Sequence, residues 1–338
     1  MKRNKVYILF IITLSLFYSC KKEKKIDQSF KIEIVDSLYT INNSYAVDDV
    51  RRYGVFPSKS IGQHPILLKD KMQVLLNVAE SGIKLNFPPG VYKRSLSIEG
   101  RNYIEIIFND VTFTGAVNIK NSKKITLKGS LLSLVQLYIK ESEDINLDHI
   151  VIKSDTLLSG NKKRSMGCSV HTGSNNIKIN KLVVEDLISG SNEKYVKAGL
   201  AIHGHNNEPS NVSIDSVIIL SSDRHGVYLT GDNILINYLD INTFGIGSAI
   251  GMEPMEGGVQ GEQGKFAGLW VKNAHNSGIK KAIINIENSK GAYSVNFDIG
   301  ESFRPFKIDT LLIEGNNLSL KKRILKRTGV NVRTLLNK

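Results

Sequence analysis

A disulfide framework, a membrane span and a charged body are all missing from this 338-residue chain. Its two cysteines, Cys20 and Cys168, cannot build a disulfide scaffold, so stability must come from packing. The one long apolar run, residues 6–20, is too short to span a bilayer. Basic residues outnumber acidic ones 45 to 32, yet the excess lies in residues 1–25 and 321–338, leaving residues 26–320 formally neutral. The basic character belongs to the two ends and does not by itself argue for a polyanionic substrate. No phosphate-binding loop, Cys-x-x-Cys pair or Ser-His-Asp set occurs. With 41% hydrophobic and 23% charged residues, the chain is too apolar and too long to be disordered.

The N-terminus has the layout of an export signal: a basic MKRNK, then the apolar run, which stops abruptly at Cys20. The last four residues of the run, Phe17-Tyr18-Ser19-Cys20, resemble a bacterial lipobox, in which the cysteine becomes the lipidated first residue of the mature protein. That resemblance implies an exported, membrane-anchored lipoprotein, touching the membrane only through its lipid, in the periplasm or at the cell surface. Residues 1–20 are then the signal and 21–45 a polar tether.

From residue 125 one pattern recurs: an aliphatic residue at position 0, usually others at +2 and +5, and one at +7. The copies are Ile125/Leu127/Leu132, Ile145/Leu147/Ile150/Ile152, Ile177/Ile179/Leu182/Val184, Val212/Ile214/Val217/Ile219, Ile234/Ile236/Leu239/Ile241, Ile279/Ile284/Ile286 and Phe306/Ile308/Leu311/Ile313. The period of two marks strands with alternate residues inward, and the step from +2 to +5 marks a corner that changes parity. Asn176, Asn211, Asn233 and Gly278 precede position 0, residue types that tolerate a left-handed backbone. Unequal spacing between copies argues against propeller blades and for a solenoid whose rungs carry loops of different length. The expected fold is all-β, a right-handed single-stranded parallel β-helix over residues 46–320, followed by a basic tail, 321–338. In residues 70–82, Met72, Leu75, Leu76 and Ala79 share one helical face, as in an N-terminal capping helix that plugs the apolar end.

The order of AVDDVRRYGV (46–55), this helix and KLNFPPGVY (84–92) before the rungs resembles the start of the pectate-lyase superfamily. The resemblance covers roughly residues 46–320 and implies a polysaccharide-handling β-helix of the lyase or polygalacturonase-like kind. It does not choose a reaction, because the fold hosts several.

The strands before each corner stack as well. Setting Ile119, Ile139, Val170, Ile202, Leu229, Val271 and Phe297 inward leaves two outward columns. One is Asn118, Tyr138, Ser169, Ala201, Tyr228, Trp270, Asn296; the other is Lys120, Lys140, His171, His203, Thr230, Lys272, Asp298. Rungs lie about 4.8 Å apart, so His171 and His203 become neighbours. Aromatic faces stack on sugar rings and titratable groups exchange protons, so His171, Trp270, Tyr138 and Asp298 are candidate substrate-binding residues. SSDRHGVYLTGDN (221–233) sets Arg224 and His225 at the start of the strand bearing Tyr228, one rung after His203; Asp223 serves equally well as a structural partner of Arg224. The glycine-rich stretch 244–265 adds Glu253, Glu256 and Glu262 as a wall for the same rung, with Glu253 a further substrate-binding candidate.

Uronate β-elimination needs a base, an acid and a cation, and these are present together: His203 or His225 as base, Tyr228 as proton donor, Arg224 or Lys272 as carboxylate clamp. Hydrolysis needs two carboxyl groups, which only loop residues supply. The paired aspartates of polygalacturonases are missing, as are the clustered aspartates of the pectate-lyase calcium site. No cofactor is therefore expected; loop carboxylates leave Ca²⁺ open without a clear site. The expected function is a polysaccharide lyase acting on a uronate-containing glycan. A glycoside hydrolase on the same fold and a non-catalytic glycan-binding lipoprotein are the alternatives, and no nucleic-acid partner is expected.

Overall fold

The computed structural model describes residues 41–57, 71–79, 84–154, 166–185, 198–204, 206–246, 266–298, 306–317, 324–326 and 330–338. The expectations for Cys20, the signal, most of the tether, Glu253, Glu256 and Glu262 lie outside the described residues.

Among the described residues nineteen strands join in one sheet whose pairings are parallel, wound as a β-helix. Short strands β3 (Leu96–Glu99), β5 (Val117–Lys120), β7 (Gln136–Lys140), β9 (Gly167–Val170) and β11 (Ala198–Ile202) stack in sequence. The stack continues through the first part of β13 (His225–Ile241), then β14 (Ala267–His275), β16 (Tyr293–Asp298) and β18 (Ile324–Lys326). Longer strands complete the rungs. They are β4 (Asn102–Phe113), β6 (Lys123–Ser133), β8 (Glu143–Lys153), β10 (Asn175–Glu185), β12 (Ser210–Ile219), the rest of β13, β15 (Ser277–Asn285), β17 (Phe306–Glu314) and β19 (Val330–Asn337). The first rung is split into β1 (Lys84–Phe87) and β2 (Gly90–Tyr92), both paired to β4.

Each long strand changes parity part-way, so one strand serves two faces. In β10, Ile177, Ile179, Leu182 and Val184 are all buried, and in register they meet Ile145, Leu147, Ile150 and Ile152 on one side and Val212, Ile214, Val217 and Ile219 on the other. Each such side chain contributes about 1.5–3 kcal/mol of burial. The turn before position 0 is left-handed: Asn176, Asn211, Asn233 and Asn276 have φ of 53°, 54°, 54° and 47°. Their amides tie rungs together, with Asn176 Nδ2 donating to Asp144 Oδ1 at 2.6 Å and Asn233 Nδ2 to Asn211 Oδ1 at 2.6 Å.

Two positions of the repeat differ from the sequence expectation. In β6 a bulge around Gly129 (φ 84°) adds a residue between Leu127 and Ser130, so Leu131 and Ser133 are the buried partners of Ile150 and Ile152, and Leu132 is not inward. Ile279 pairs with Ile236 and not Ile234, so position 0 of that copy is Ser277. The serine fits the corner because its hydroxyl accepts the Ile234 N–H at 2.9 Å and donates to the His275 carbonyl at 2.5 Å.

The cap is present. Helix α1 (Lys71–Ala79) buries Met72, Val74, Leu75, Leu76 and Ala79 in the cluster that also holds Leu85 and Phe87. At the other end, β18 and β19 extend the ladder into the stretch read from sequence as a basic tail.

Candidate functional site

The outward columns stand in the register expected from the sequence. Asn118, Tyr138, Ser169, Ala201, Tyr228, Trp270 and Asn296 are successive Cα partners. Their sizes shape the surface. Between Tyr138 and Tyr228 the column holds only Ser169 and Ala201, and the hollow left there is a groove of about 340 Å³. Lys120, Gln136, Tyr138, Ser169, His171, Ala201 and His203 line it. Cys168 lies at its floor; burial pushes its thiol up to about 12, which keeps it protonated and non-nucleophilic.

Backbone bonds fix the two histidines of the groove. His171 N–H donates to the Ile139 carbonyl at 2.7 Å and His203 N–H to the Val170 carbonyl at 2.9 Å, which carries the ladder one residue past each strand. The rings then meet edge to face, with centroids 4.4 Å apart. His203 is buried except for 3% of its surface, and its Nε2 lies 3.4 Å from Ser169 Oγ. Gly204 permits the sharp turn that follows, since a Cβ there would sit 2.6 Å from Glu208 Cα.

Ring contacts run on from this pair in both directions. Tyr138 lies 5.7 Å from His171; Tyr228 lies 6.2 Å from His203, 5.0 Å from Trp270 and 6.5 Å from His225. Tyr228 and Trp270 pack with Ala198 and Ala201 in a small apolar cluster of their own on the outer face.

His225 occupies a different environment from His203. It is buried, packs against Phe266 at 5.3 Å and Trp270 at 4.8 Å, and its Nδ1 accepts the Ala267 N–H at 3.0 Å. That bond puts the ring proton on Nε2. Burial first, and the Arg224 charge second, push its pKa down to about 3, so it is neutral at physiological pH.

The two histidines offered by sequence as the base lie on opposite sides of Tyr228. His203 belongs to the column of Thr230, at the end of the strand segment that His225 begins, and the two rings approach Tyr228 from either side at 6.2 and 6.5 Å. The same separation applies to the cations. Arg224 is buried at the bend preceding β13, its carbonyl accepting the Gly245 N–H at 2.8 Å. Lys272 is exposed on the His203 edge, in the rung paired through Asp298. Asp223 is buried beside Arg224. Asp298 keeps its register position next to Lys272, and nothing further is described of its side chain. The sequence reading gave no role to Lys120 or Ser169, although their place in the outward columns was already visible there, and Gln136 preceded the strand it read as 137–140.

Among the described residues no three His, Cys, Asp or Glu side chains group as metal ligands would. No family model, curated protein or solved structure matches the chain.

Proposed function

We propose that this protein is a polysaccharide lyase that cleaves a uronate-containing glycan by β-elimination in the groove between Tyr138 and Tyr228. The observation that carries the reading is the run of ring contacts from Tyr138 through His171 and His203 to Tyr228, on the outer face of a parallel β-helix and beside a groove of about 340 Å³. Such a strip offers stacking faces for sugar rings and, at one point, an imidazole 6.2 Å from a phenol ring. The fold and the N-terminal segments together support a distant place in the pectate-lyase superfamily.

In this reading His203 removes the proton at C5 of the uronate. The electron pair moves toward the carboxylate and returns as the C4–C5 double bond while the C4–O bond breaks. Tyr228 O–H protonates the departing oxygen, and no water is consumed. Lys272, on the same edge of the strip as His203, is the cation assigned to the reacting carboxylate. His225 is a poor base at a pKa of about 3, which favours His203 for that role. Export and lipidation at Cys20 belong to the same reading and would hold the groove outside the cytoplasm, on a membrane tether.

The test is product analysis of the mature protein on a panel of uronans and neutral glycans. A lyase yields new chain ends bearing the ultraviolet absorbance of an unsaturated uronate, one per cleavage. Reducing ends without that absorbance identify a hydrolase using carboxylates such as Glu253, and binding without products identifies a glycan-binding lipoprotein.

A further inference from the structure

Among the described residues the groove is lined by one cation and no carboxylate, and that cation has no part in the chemistry assigned above. Lys120 ends β5 in register with Lys140 of β7, but the two ammonium groups differ in their surroundings. Lys140 Nζ lies 3.3 Å from Glu141, and Lys140 is not part of the groove lining. Lys120 Nζ lies 5.8 Å from the centre of the Tyr138 ring, on the groove wall, with no ion-pair partner among the described residues. Its charge is therefore uncompensated by any carboxylate of the lining.

Three rung steps separate Lys120 from His203, about 14 Å. The interval is bridged by the ring contacts of Tyr138 with His171 and of His171 with His203. An extended glycan advances about one rung per sugar. A chain reacting at His203 and lying along the ring strip thus brings a sugar two to three units away over Lys120.

We propose that Lys120 binds the carboxylate of such a non-reacting sugar, so that the groove selects a polyuronate, with charge recurring along the chain, over a glycan carrying a single uronate. The placement of the scissile bond rests on the lyase reading; the anion site itself does not. A carboxylate held by an ammonium group partly shielded by Tyr138 forms a charge-assisted hydrogen bond, stronger than the neutral contacts elsewhere in the groove.

The chain's single tryptophan, Trp270, packs 5.0 Å from Tyr228, so its fluorescence reports occupancy of the strip. The probes are hexamers and dimers of galacturonate and mannuronate, with hexamers whose carboxylates have been reduced to alcohols, titrated into the full mature chain. Lys120→Gln should weaken binding of the better-bound acidic hexamer about tenfold. It should leave the dimers and the reduced hexamers within twofold of wild type, and Lys120→Arg should restore the loss. Lys140→Ala should bind as wild type. The inference is overturned if Lys120→Gln binds acidic hexamers normally, if it loses acidic and reduced hexamers alike, or if neither acidic hexamer binds the wild type. Selective loss at Lys120 without unsaturated products would refute the lyase reading and leave the anion site standing. Wild-type binding of the acidic hexamers by Lys120→Gln together with unsaturated products would do the reverse.

Discussion

Protonation of His225 should set the acid limit of this fold. In the folded protein its pKa is pushed down to about 3, whereas an unfolded histidine titrates near 6.5. Below pH 6.5 the unfolded chain therefore binds a proton that the folded chain refuses, and stability falls with falling pH. The slope from this one group approaches about 1.4 kcal/mol per pH unit below pH 6.5, so roughly 2 kcal/mol is lost between pH 6.5 and 4.5, and little changes above about pH 7.5. His225→Asn isolates the effect. Its side-chain oxygen can take the place of Nδ1 as acceptor for the Ala267 N–H, while the titrating ring is gone. The variant should be less stable than wild type at pH 7.5, because ring contacts with Phe266 and Trp270 are lost. The gap should close as the pH is lowered to 4.5. Chemical denaturation at a series of pH values measures both curves. Parallel curves for the two proteins would refute the burial argument and return His225 to the list of working bases.

Two further outcomes follow from the architecture. Ile214 is buried between Ile179 and Ile236, its register partners on adjoining rungs, so Ile214→Asp should cost about 4 kcal/mol or more; an unchanged melting temperature by circular dichroism would contradict the register. Cys20→Ala should move the protein from the membrane fraction to the soluble fraction, and identical partitioning of the two would rule out lipidation there.

The rungs were legible because β-helix columns impose one parity on every strand. Ile119, Ile139, Val170, Ile202, Leu229, Val271 and Phe297 could be set inward by alternation alone, and that choice fixes Tyr138, Tyr228 and Trp270 outward. The reading failed where one residue broke the count. At Gly129 the bulge put Ser133 into the place expected for Leu132 and Leu131 opposite Ile150. At Ser277 a hydroxyl replaced an aliphatic side chain, although Asn276, left-handed like Asn233, marked the corner all along. The earlier rung of Ile104 and Ile106 escaped notice because the shift between Phe108 and Val111 lengthens its repeat. For the site, the columns located His203 beside His171 and Tyr228. They said nothing of the Phe266 and Trp270 rings and the Arg224 charge that surround His225, nor of the way Lys120 leans onto Tyr138 while Lys140 pairs with Glu141. Such surroundings and side-chain direction arise from contacts distant in sequence, which no local pattern records.

The central claim is that His203 and Tyr228 perform β-elimination together. Its most direct test is turnover of a polyuronate, followed by the absorbance of the unsaturated product, for wild type, His203→Ala and Tyr228→Phe, each checked for an unchanged melting temperature. Loss of an acid–base partner should lower the rate about 10²–10⁴-fold in either variant, while Lys140→Ala turns over as wild type. Near-wild-type rates in both variants, or cleavage that produces reducing ends and no double bond, would contradict it.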